Sequence, residues 1–249
     1  MHTHYIGTAG WSISSAAASH FPSAGSHLLR YARVLSCVEI NSSFYRPHQP
    51  ATYARWADGV PDHFRFSVKL PRSITHERRL RDGEAELDRF AGEVLQLGTK
   101  LGCVLVQLPP SLQFDTAVAA AFFSALRQRF GGMLACEARH PSWFEEGATG
   151  LLTLQRITRV RADPPAGQPG PHVPTTEVAY LRLHGSPTIY YSDYPPAYLA
   201  SLAACLREPA QAGSWCIFDN TAAGAALFNA LDLQARLTDL PAAPAHSRA

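Results

Sequence analysis

Short apolar or β-branched runs recur along the chain at 5–7, 38–40, 64–70, 103–108, 134–137, 157–161, 178–183 and 215–218. Between most of them the apolar positions fall at helical spacing, over 26–35, 84–97, 116–129, 146–155, 195–206 and 222–231, with a shorter turn of helix at 52–57. Strands alternating with helices predict a parallel sheet covered by helices. Eight such strands in 249 residues is the size of a (β/α)8 barrel. An open, doubly wound sheet is the competing arrangement, but no GxGxxG follows the first strand and no GxxxxGK[ST] occurs anywhere. The expected fold is therefore α/β, a single TIM-type barrel over 1–240 with some helices short or missing. Segment 164–174, PPAGQPGPHVP, is too rich in Pro and Gly for a helix and reads as a loop joining strands six and seven. A flexible tail is expected over 241–249.

Barrel strands are apolar in their middles, so charge concentrated at one end of them marks a site. The C-terminal halves here carry Glu39 and Asn41, Ser67 and Lys69, Gln107, Glu137 and Arg139, Arg161 and Asp163, Arg182 and His184, then Asp219 and Asn220. Residues at i and i+2 share a strand face, which directs these groups at one mouth of the barrel if that face is the interior. Lys69, Arg72, Arg139 and Arg182 supply fixed positive charge suited to phosphate or carboxylate oxygens. Glu39, Glu137, Asp163 and Asp219 can act as base, metal ligand or ion-pair partner. His76, His140 and His184 stand where they can titrate near neutrality. Loop aromatics, among them Phe44, Tyr45, Trp143 and Tyr190, can stack on a base or sugar ring. The amides opening the last helix, after Asp219 and Asn220, can accept a phosphate.

Composition narrows the classes. With 46% hydrophobic and 17% charged residues and a net charge of +2, the chain folds, and global charge does not announce a nucleic-acid protein. Five cysteines without a CxxC pair argue against a disulfide framework and a Cys-based zinc site. No membrane-length apolar stretch or signal-peptide core is present, so a cytoplasmic location is expected, with no membrane or obligate protein partner. Lys69 and Lys100 are the only lysines among 22 basic residues, a hint that Lys69 is needed as Lys.

The segments GTAGWS (7–12), VEINSSFYR (38–46), FRFSVKLPRSITHERRL (64–80), LGCVLVQLPPS (101–111), EARHPSWF (137–144), YLRLHG (180–185) and DNTAAGAALFNAL (219–231) together resemble the YecE-like family, domain of unknown function 72. The likeness runs in order through nearly the whole chain and implies a TIM barrel. It places Glu39, Asn41, Phe44, Tyr45, Lys69, Arg72, Thr75, His76, Gln107, Glu137, Arg139, His140, Trp143, Arg182, His184, Gly185 and Asn220 in matching motifs. The chain departs from the family pattern at Ile13 and at the FDNT that closes the last strand.

The expected function is an enzyme acting on a phosphorylated or nucleic-acid substrate by phosphoester hydrolysis. Glu137, His184, Lys69, Glu39 and His76 are its candidate catalytic residues. Asn41, Tyr45, Arg72, Gln107, Arg139, His140, Trp143, Arg182, Asp219 and Asn220 are its candidate binding residues. Two alternatives stand beside it: a metal-independent sugar-phosphate isomerase in which Lys69 polarises a carbonyl, and a non-catalytic binder of an anionic metabolite or nucleic acid. A divalent metal held by His, Glu and Asp is allowed, but HxH and HExxH signatures are lacking and no ligand is assigned.

Overall fold

The computed structural model describes residues 3–208 and 212–238; the expected tail at 241–249 lies outside them. Eight parallel strands, β1 (Thr3–Ala9), β2 (Cys37–Ile40), β3 (Arg65–Lys69), β4 (Leu101–Gln107), β5 (Met133–Glu137), β6 (Ile157–Asp163), β7 (Val178–Leu183) and β8 (Gly213–Phe218), pair in sequence order, and β8 closes on β1. The expected barrel is the observed one.

The outer layer comprises α1 (His27–Ala32), α2 (Ser42–Tyr45), α3 (Pro50–Asp58), α4 (Glu84–Val94), α5 (Thr116–Arg129), α6 (Glu146–Leu154), α7 (Pro196–Leu206) and α8 (Ala225–Thr238). Local chemistry sets their starts. Pro50 and Pro196 occupy first-turn positions where no N–H is needed, Ser26 and Asp115 cap α1 and α5, and Glu84 and Glu86 face the positive end of α4. The last helix begins later than its apolar pattern predicts, because 221–224 forms a turn ending at Gly224, whose φ is +81°. Between β6 and β7 no helix forms, and the chain crosses as the expected irregular loop. Among the described residues no helix is long and apolar enough to cross a membrane.

Strand parity divides the core. Cys37, Cys103, Leu105, Ala135, Val160, Tyr180, Trp215 and Ile217 fill the barrel interior, while a larger cluster packs the strands' outer faces against the helices. Two residues beyond Cys37, Leu105, Ala135, Tyr180 and Ile217, on the same face, stand Glu39, Gln107, Glu137, Arg182 and Asp219. On β6 the inward residue is Val160, so Arg161 and Asp163 point outward. The expectation that they face the mouth is corrected by this one-residue difference of phase.

Candidate active site

A bonded polar layer closes the upper barrel. Arg182, fully buried, donates from Nε and Nη2 to the Glu39 carboxylate (3.1 and 2.7 Å), from Nη1 to Glu137 (2.5 Å) and Gln107 (3.1 Å), and from Nη2 to Asp219 (3.0 Å). All five guanidinium donors are thereby spent, so Arg182 has none left for a ligand. Its role is to hold three carboxylates rather than a phosphate. Glu39 is as deeply buried and accepts from the Tyr180 hydroxyl (2.8 Å), which also lies 2.7 Å from Ser67 Oγ. Where a divalent ion bridging these acids would sit, the guanidinium sits instead.

Above this layer, Arg139 donates from Nε and Nη2 to Glu137 (2.9 and 2.8 Å). His184 places Nδ1 3.0 Å from Asp219 and Nε2 3.3 Å from Glu137, the latter an ionic contact rather than an aligned hydrogen bond. Burial alone would raise the Glu137 pKa, but Arg182, His184 and Arg139 hold it well below the usual carboxylate range. For His184 burial works against the charge, yet its bond to Asp219 and its ionic contact with Glu137 prevail and raise its pKa.

The solvent-facing part differs in character. The Lys69 ammonium makes no ion pair among the described residues and lies 4.1 Å from the Phe44 ring centroid. Burial, then the Arg182 charge, lowers its pKa to about 8. His76 rests on the same ring, 5.0 Å between centroids, and bonds through Nδ1 to Thr75 Oγ1 at 2.8 Å. It belongs to a widened helical turn over Ser73–Glu77, a distortion often found at functional sites. Burial and the charges of Lys69, Arg72 and Arg139 lower its pKa to about 4, so it is a neutral imidazole at pH 7. Arg72 is exposed and only 3.7 Å from Glu77. Tyr190 leans edge-on against His184 at 5.9 Å and sits beside Arg139.

The predicted residues thus divide. Glu39, Gln107, Glu137, Arg139, Arg182, His184 and Asp219 form one network, with Lys69, His76 and Arg72 next to it. Trp143 is not at the mouth: it is 1% exposed, packs on Phe114 and Phe123, and gives its indole N–H to the Leu112 carbonyl. His140 caps the turn Pro141–Phe144 by accepting from Ser142 N. Tyr45 points into solvent beside Phe44. Asn41 stands at the start of α2, its buried Oδ1 without a hydrogen-bond partner among the described residues. Asn220 bonds the Ser192 carbonyl and Asn229, tying the loop after β7 to α8. Tyr180 was missed among the candidates because a mid-strand tyrosine reads as core; its position two residues before Arg182, on the same face, was the available signal.

Gly185 opens that loop with φ +94°, and a Cβ there would lie 2.9 Å from the Ser192 carbonyl oxygen and 3.2 Å from Asn220 Cβ. Gly185→Val should therefore cost about 1–3 kcal/mol. Chemical denaturation checks this, and an unchanged midpoint would contradict it.

The family model described as a protein of unknown function, DUF72, matches residues 5–248. UPF0759 protein YecE of Escherichia coli (strain K12) is 31% identical over 121 residues, 48% of this chain and 44% of YecE. UPF0759 protein YunF of Bacillus subtilis (strain 168) is 27% identical over 148 residues, 56% of this chain and 52% of YunF. In these alignments the chain spans about half the length of the curated relatives it matches. The crystal structure of a DUF72 family protein from Thermotoga maritima MSB8 superposes with TM-score 0.79 at 26% identity, covering 95% of this chain and 99% of that one. One from Enterococcus faecalis V583 gives TM-score 0.80 at 21% identity, covering 94% and 95%. With the family's barrel in place and its model matched from the first strand onward, the chain belongs to the DUF72 family.

Proposed function

We propose that the mouth hydrolyses phosphate esters without a bound metal, with His76 as general base and Lys69 as general acid. The observation that carries this reading is the crowding of Lys69, Arg72 and Arg139 around an imidazole that stays neutral, which makes an anion-attracting surface with a usable base inside it. Water held by His76 attacks phosphorus, its proton passes to the imidazole, and the ester P–O bond breaks. The departing oxygen takes a proton from the Lys69 ammonium, giving inorganic phosphate and an alcohol. Arg139 and Arg72 neutralise the non-bridging oxygens. Arg182, Glu137, Asp219 and His184 are positioning residues beneath.

The environments of the two catalytic groups set the pH dependence. His76 works deprotonated, above about 4, and Lys69 works protonated, below about 8. Phosphate release from a panel of sugar phosphates and nucleotides, followed in EDTA, should rise through about pH 4, plateau, and fall through about pH 8. Release abolished by the chelator, or from no substrate, would overturn the proposal. The lowered Lys69 pKa also favours a second reading in which Lys69 polarises a substrate carbonyl and aldose and ketose phosphates interconvert. Isomerisation without phosphate release would select it.

A further inference from the structure

Seven of the eight strand connections or closing segments carry a helix; the β6–β7 connection does not. There the outer faces of β6 and β7 are covered by 164–177 and by the edge of α7, leaving a cavity of about 260 Å³. It is separate from the barrel mouth.

One end of this cavity is cationic. Arg159 is 3% exposed, and its guanidinium donates to the Val173 carbonyl (3.1 Å), the Trp143 carbonyl (3.0 Å) and Thr149 Oγ1 (2.7 Å), with the Phe144 ring centroid 5.5 Å away. It forms no ion pair among the described residues, and its buried Nε has no acceptor. A buried charge without a counter-charge is costly, as is a buried donor without a partner. Arg161, two residues along the same strand face, is exposed, and its Nη1 lies 3.8 Å from Cys205 Sγ. His172 completes the group with a buried Nδ1 that has no hydrogen-bond partner among the described residues. Burial, Arg161 and Arg159 together lower its pKa to about 4, and all three side chains line the same cavity.

The rest of the lining does not satisfy these groups. Thr158 and Thr176 bond each other, and the Thr175 hydroxyl donates to the Ile157 carbonyl. Glu177, the one carboxylate lining the cavity among the described residues, is exposed and forms no ion pair. Val178, Ala179, Leu181 and Leu206 give the lining its apolar part, with Leu181 paired beside Arg161 in the sheet.

We propose that this cavity is a second binding site, for a small molecule carrying a carboxylate or phosphate head on a short apolar body. The head meets the exposed Arg161 guanidinium beside Arg159 and His172, supplying the counter-charge that buried Arg159 lacks, and the body lies on the apolar lining. The site is independent of the reaction at the mouth.

Isothermal titration of the intact protein with hexanoate and, separately, inorganic phosphate tests this and identifies the head. In a Lys69→Met background, which weakens anion binding at the mouth, saturable binding of at least one anion is expected, and it weakens about tenfold or more on adding Arg161→Gln or Arg159→Gln. Should Arg159→Gln fail to fold, Arg161→Gln decides, since its side chain is exposed. Binding of neither anion in that background overturns the proposal, as does binding that survives Arg161→Gln.

Discussion

Arg182→Met should destabilise the barrel by about 3–5 kcal/mol, a large share of the about 5–15 kcal/mol by which domains are stable. The cause is not a lost attraction alone. Glu39, Glu137 and Asp219 would remain buried after their common cation is removed. The pH dependence should change sign with it. In the native protein Glu137 and Asp219 have lowered pKa values. Their contribution is present above the unfolded-state value and lost as pH falls through the folded one. Without Arg182, burial raises these carboxyls, so they favour folding only while protonated and stability is lost as pH rises through their raised values. Denaturation midpoints between about pH 2 and 7 check this: the native protein should weaken as pH falls below about 4, and the variant as pH rises toward neutrality. Parallel curves would contradict the reading of Arg182 as the cation that holds the acids.

Lys69→Met and His76→Ala should each lower phosphate release by about 100- to 10,000-fold if the mouth works as proposed. Lys69→Met should at the same time leave the melting temperature unchanged or raise it, because Met can lie along the Phe44 ring and an unpaired buried charge is removed. A rate loss that merely follows unfolding would not support a catalytic role. Measuring turnover and thermal stability on the same samples separates the two.

The barrel was readable because its strands are apolar, evenly spaced and separated by capped helices, and because period-two alternation runs directly from Cys37 to Glu39 and from Tyr180 to Arg182. That alternation could not show how the charges divide among themselves. Arg182 and Lys69 look alike as cations at strand ends, yet one is saturated by carboxylates and the other rests unpaired on an aromatic ring. Trp143 lies in a motif beside the site but turns inward under α5, a choice made by tertiary packing. Arg161 and Asp163 followed the spacing of the other strands and failed because β6 enters the barrel one residue out of phase with that reading. Arg159 was overlooked since a charged residue in mid-strand acquires meaning only once the helix that would cover it is known to be missing.

The mouth holds two histidines whose environments push them apart, His76 lowered among cations and His184 raised between carboxylates. NMR titration of the ring resonances, assigned with His76→Gln and His184→Gln, measures this directly. His76 should titrate near 4 and His184 above the ordinary histidine value of 6.5. Both rings titrating together near 6.5, or in the reverse order, would contradict it.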